Sequence, residues 1–220
     1  PNLAGAWLNR GAVLMENGSI DGAIESFDKT IALNPRSAEA YNNRGTARSQ
    51  NGDFARAAAD LDTALRLGPS QEGAYGNRGF VRLALGDYAG AAADFGALAA
   101  RQPGDPYVVL WRHLALIRAG APDDGLTRDA AALGSGPWPG PLLALYAGSL
   151  ARDKIMAMET QVPPAERPER RCEIYFYVGE YALAKGDPAA AALLREAAAS
   201  CPVGLLERAA AIGEAQRLPR

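Results

Sequence analysis

The chain is poor in the residues that most often carry chemistry. It has one histidine, His113, and two cysteines in 220 residues. A lone histidine with no cysteine or second histidine near it cannot build a zinc site of ordinary composition. As a general base it would need a nucleophile and an orienting group, and no motif supplies either. No G-x-S-x-G, P-loop or dinucleotide fingerprint is present, and no strand is evident to carry one. No run of basic residues is long enough to track a phosphate backbone and the net charge is −2, which makes nucleic acid an unsuitable partner. No apolar run is long enough to cross a bilayer; the most apolar segment, 142–150, is short and contains Gly148. No signal peptide is visible, although the chain opens on Pro1 just ahead of a repeat, where a trimmed export signal is an open alternative. These absences point away from an enzyme and call for no cofactor or metal.

What the chain has instead is a period. Trp7, Tyr41 and Tyr75 are 34 residues apart, as are Gly11, Gly45 and Gly79; Ala23, Ala57 and Ala91; Phe27, Leu61 and Phe95; and Pro35, Pro69 and Pro103. An aromatic, a glycine four places on, an alanine, a large apolar residue and a closing proline in this order resemble the tetratricopeptide (TPR) signature. The fold implied is all-α: a right-handed α-α superhelix of about five to six helical hairpins with a C-terminal capping helix.

Three regular repeats span 4–103, turning at Asn17-Gly18, Asn51-Gly52-Asp53 and Gly86-Asp87. Each proline ends its second helix because it cannot continue the hydrogen-bond ladder. Beyond Pro103 the register breaks, and 104–160 reads as two degenerate hairpins. Asp105-Pro106 opens a helix as N-cap and first helical residue. Further helices are expected over 122–133, 142–150 and 152–159, then a proline-rich loop over 161–170. A repeat returns over 171–202 with Tyr175, Gly179, Gly186 and Ala191, and an amphipathic helix within 203–218 covers its last face.

Asn9, Asn43 and Asn77 occupy the sixth place of the regular repeats, on the concave side of the first helix. An amide offers a donor and an acceptor together, the complement of a peptide bond, so such a row can hold an extended client by its backbone. It resembles the asparagine ladder of O-linked N-acetylglucosamine transferases. Matching places further on hold His113, Tyr146 and Tyr177, extending the expected peptide-binding row; the alternative is that these Asn side chains only bond their neighbours. The adjacent Arg10, Arg44 and Arg78 either grip an acidic partner or pair with carboxylates such as Asp28, Asp60 and Asp94, and the repetition favours pairing. The chain departs from the carboxylate clamp of chaperone cochaperones, since of its five places (Leu8, Ala12, Asn43, Gly73, Asn77) only Asn43 agrees.

Cys172 and Cys201 open and close the two helices of one hairpin, whose antiparallel ends lie side by side. Two buried thiols are the alternative; the placement at element ends favours a disulfide and an oxidising compartment.

Three segments narrow the resemblance: Asp105-Pro106-Tyr107 with Leu110-Trp111, Trp138 leading into 145–149, and 173–187 followed by the terminal helix. Their order resembles the NlpI-type bacterial envelope lipoproteins. That resemblance implies a homodimeric periplasmic adaptor, tethered to the outer membrane, that brings peptidoglycan hydrolases to a protease or synthesis complex. The lipid-bearing N-terminal cysteine of that family is missing here, so a tether would reside outside this segment. A protein or peptide client is the expected partner and the envelope the expected location, with the cytoplasm as alternative. A self-assembling structural subunit and the regulatory array of a larger enzyme are the competing functions.

Overall fold

The computed structural model describes residues 3–70 and 72–218, and among them every regular element is helical. Thirteen α-helices follow one another: α1 Leu3–Glu16, α2 Ile20–Leu33, α3 Ala38–Gln50, α4 Phe54–Leu67, α5 Glu72–Leu85, α6 Tyr88–Ala99, α7 Pro106–Arg118, α8 Leu126–Leu133, α9 Gly140–Tyr146, α10 Arg152–Ala157, α11 Arg167–Ala184, α12 Ala190–Ser200 and α13 Leu206–Arg217. The pairs α1/α2, α3/α4, α5/α6 and α11/α12 are antiparallel hairpins, and consecutive hairpins stack. The architecture is an all-α superhelix.

Local chemistry sets these elements. Asp87 caps α6 by accepting from the Gly90 N–H at 3.0 Å, and Asp105 caps α7 by accepting from the Tyr107 and Val108 N–H groups. Within each hairpin the glycine of the first helix receives a side chain of the second. A Cβ at Gly79 would lie 2.6 Å from Phe95 Cζ, and one at Gly45 2.9 Å from Leu61 Cγ, so the helices meet this closely only because those positions are bare.

The arginines next to the asparagines hold the stack together. Arg44 donates to Asp60 in its own hairpin at 2.9 and 2.7 Å and to Asp28 in the preceding one at 2.6 Å. Arg78 repeats this with Asp94 and with Asp62. Burial works against each guanidinium, but the paired carboxylates prevail and hold both above the usual arginine range. The inner carboxylates are buried and the outer ones half in water, so the rungs are unequal. Asp94→Ala is expected to cost about 3 kcal/mol by stranding Arg78 and Arg82, whereas Asp62→Ala should cost less than about 1 kcal/mol. Urea unfolding of the two variants separates them; equal costs would mean that the buried rung does not carry the stack.

In the irregular middle the structure corrects four expected boundaries. The helix expected from 122 begins at Leu126, because Asp123 turns back to the His113 ring. The one expected over 142–150 is α9, which ends at Tyr146; Gly148 takes φ 75° and lets the following chain bond back to Ala144. The one expected over 152–159 gives way after Ala157 to a 3-10 turn, Met158–Gln161. The proline loop ends at Glu166, since Pro168 lies in the first turn of α11, where no donor is needed. A disulfide joins Cys172 to Cys201, with Cα atoms 4.6 Å apart in the core. On the chain-entropy argument it contributes about 3–4 kcal/mol.

Candidate protein-binding groove

The three asparagines stand on one face of the first helices, but in different surroundings. Asn9 is exposed and Asn43 half-buried. Asn77 spends its amide hydrogens inside the protein, donating to Asn42 Oδ1 and Thr46 Oγ1, both at 3.0 Å. Asn42 in turn donates to Asn43 at 3.2 Å. The row is therefore divided along the chain: Asn77 bonds its neighbours, and Asn9 faces solvent.

The aromatic continuation of the row is not on an open surface. His113 is fully buried, Nδ1 2.8 Å from Asp123 and Nε2 3.0 Å from Asp129, and ties α8 and the loop before it to α7. Tyr146 is buried and donates to the Tyr177 carbonyl at 2.9 Å. Tyr177, also buried, accepts from Trp111 Nε1 at 2.6 Å and donates to Glu207 at 2.7 Å. Burial raises both phenols well above their ordinary range. A client cannot reach these three side chains, which corrects their assignment to the binding row. The cause is a shift in register: a strict 34-residue step from Asn77 reaches Trp111, which lines the groove, and His113 lies two places beyond it on the side of α7 that meets α8.

The groove also holds an occupant. Helix α13 covers the last hairpin, packing on α12 and α11, and then reaches across to α5 and the edge of α3. It fits through small residues: a Cβ at Gly213 would lie 2.5 Å from Ala84 Cα and 2.7 Å from Ala84 Cβ. Val81, Ala84 and Ala209 share one apolar cluster, with Ile212 packed against it. Arg217 caps α5 by donating to the Leu83 carbonyl at 2.8 Å and also to that of Ala84. Buried charges fix the remainder. Glu214 accepts from Tyr88 at 2.9 Å and pairs with Arg217 at 2.6 Å and Arg118 at 3.2 Å; Arg118 also pairs with Glu180.

The segment 204–206 thus divides the groove in two. On one side lie Thr46, Ser49, Gln50 and Asn77. On the other lie Tyr107, Trp111, Glu169 and Glu173. Glu173 accepts from Tyr107 and from Trp138 Nε1, both at 2.7 Å, and burial raises its carboxyl. The sequence marks Trp111 and Trp138 as features of the irregular middle and assigns neither to a site. The usable signal was the switch from Thr46, Ser49 and Gln50 in the second repeat to Phe80, Leu83 and Ala84 at the same places in the third.

A superhelix of stacked hairpins with an A-helix groove is a protein-binding class of fold. A tetratricopeptide repeat (TPR) model matches residues 4–76, and the fold of the chain is the TPR superhelix. No curated protein sequence matches it. Among solved structures, a TPR protein from Parabacteroides merdae is 18% identical over 97% of this chain and 84% of its own, with a TM-score of 0.63. MamA is 28% identical over 60% of this chain and 73% of its own, with a TM-score of 0.55. YrrB, described as a TPR protein with an unusual peptide-binding site, is 16% identical over 91% of this chain and 88% of its own, at 0.52.

Proposed function

We propose that this protein is a non-enzymatic adaptor that holds a client on the open face of α1 and α3, the first helices of its first two repeats. The observation that supports this reading is the division of the groove: α13 covers the third repeat, while the first two keep Asn9 exposed and Asn43 partly so. Amide donors and acceptors at 34-residue intervals suit a client backbone. YrrB, of the same fold, is described as having a peptide-binding site, which agrees with that use.

The finer reading is an adaptor of the bacterial envelope, of the NlpI type, recruiting hydrolases or proteases. The Cys172–Cys201 disulfide supports it, because such a bond persists in an oxidising compartment. One experiment tests both parts. A photo-crosslinking residue replaces Asn9 or Asn43, and Lys29 on α2 serves as control, in cells of the native host. The expected result is one discrete protein adduct from the two groove positions and none from Lys29, with no free thiol in the recovered protein. Equal labelling from all three positions would remove the groove as the client site, and two free thiols would remove the envelope.

A further inference from the structure

The two ends of the superhelix are finished differently. The last hairpin is covered by α13, whereas the outer face of α1 keeps the chemistry of a buried interface. Ala6, Arg10 and Val13 lie along that face and are exposed. The counterparts of Ala6 and Val13 one and two repeats on are covered by the preceding hairpin, Val81 by α13 as well. Ala40 and Ala74 are 0% and 1% exposed, and Ala47 and Val81 are 0% and 1%, against 54% for Val13. Leu3 adds a second exposed apolar side chain at 59%. A terminal repeat that ends a solenoid in water carries a polar outer face, and this one does not.

The arginine row is incomplete in the same place. Arg44 and Arg78 each hold one carboxylate from their own hairpin and one sixteen residues back, in the preceding hairpin. Arg10 has neither among the described residues. Where Asp60 and Asp94 stand in the later repeats the first has Ser26, which accepts from Arg10 at 2.6 Å, and Trp7 lies 5.4 Å from the guanidinium. Both neighbours are neutral, so the positive charge is uncompensated on a face that is otherwise apolar.

We propose that the outer face of α1 is a stacking surface that receives a further TPR-type hairpin, in the register of a preceding repeat, whose second helix presents an aspartate to Arg10. The apolar row of Ala6 and Val13 takes that helix as Ala40 and Ala47 take α2, and Arg10 selects for its carboxylate as Arg44 selects Asp28.

A duplicate of residues 3–34 placed directly ahead of Pro1 keeps the period and sets the duplicate's aspartate sixteen residues before Arg10. The fusion should gain helix in proportion to the added residues and melt in one transition, about 5 °C or more above the unfused protein. Val13→Glu should erase that gain in the fusion and leave the unfused melting temperature within about 1 °C. Arg10→Ala should erase part of it. A duplicate that adds no helix or melts separately overturns the proposal, as does a Val13→Glu effect of equal size in both proteins. A concentration-dependent dimer of the unfused chain that Val13→Glu disperses overturns it too, since a second copy would then cover this face.

Discussion

Gly213→Leu is expected to detach α13 from α5 and lower the unfolding free energy by about 4 kcal/mol. Overpacking in a core ordinarily costs about 1–3 kcal/mol because side chains can shift. At Gly213 the neighbour is backbone: the new Cβ alone would lie 2.5 Å from Ala84 Cα, and α5 cannot retreat without leaving α6. Displacing α13 then uncovers Val81 and Ala84, and it removes Glu214 from Arg118 and Arg217 from the end of α5. Each of those losses adds to the cost of the clash. Urea unfolding measures the sum, and limited proteolysis between α12 and α13 reports where it falls. Gly213→Ala should show the same pattern in weaker form. Unchanged proteolysis together with an unchanged midpoint would mean that α13 is not seated by this contact. Since α13 borders the polar half of the groove, its release should also lengthen the face open to a client.

The regular part of the fold was legible because one physical unit is repeated. Gly11, Gly45 and Gly79 recur because each must admit Phe27, Leu61 or Phe95. Arg44 and Arg78 recur because each bridges two hairpins through carboxylates at fixed offsets. A periodic sequence states such contacts several times, and any one statement suffices to read it. The seat of α13 is stated once, by contacts such as Gly213 on Ala84 and Tyr88 on Glu214 that are more than a hundred residues apart and fall in no period. The irregular middle has the same difficulty. His113, Tyr146 and Tyr177 stand one or two places off the 34-residue count from Asn77, and all three point into the core. The best trace of α13 in the sequence was the lapse in the third repeat, where Phe80, Leu83 and Ala84 stand on a face that is polar in the second. An apolar patch on the concave side of a regular repeat calls for something to cover it.

The buried carboxylates at the seat of α13, Glu207 on the helix and Glu180 on α11, should make the protein lose stability as the pH rises through neutrality, the reverse of ordinary acid denaturation. Glu207 is buried beside the Tyr177 hydroxyl and the Trp111 indole, within reach of the Glu173 carboxylate's repulsion. Burial, with the repulsion of Glu173 added, pushes its carboxyl up to about 7, against the lowering effect of the Tyr177 hydrogen bond. Glu180 moves in the same direction, again chiefly through burial; Glu214 adds repulsion, and Arg118 and Arg217 oppose it. Both groups thus bind a proton more tightly in the folded chain than in the unfolded one. Their contribution is complete below pH 4.5 and is lost as the pH climbs through about 7. For Glu207 the difference from the ordinary value of 4.5 corresponds to about 3 kcal/mol, and Glu180 adds in the same sense. Urea unfolding at pH 5 and pH 8 should therefore give a higher stability at pH 5, and Glu207→Gln should flatten the dependence while keeping an acceptor for Tyr177. A stability that rises between those pH values in the native chain would show that these carboxylates are held as anions, with Arg118 outweighing their burial. If the expected fall is found, α13 is the element whose grip on the groove weakens. Protease sensitivity between α12 and α13 should then increase from pH 5 to pH 8 before the rest of the superhelix opens.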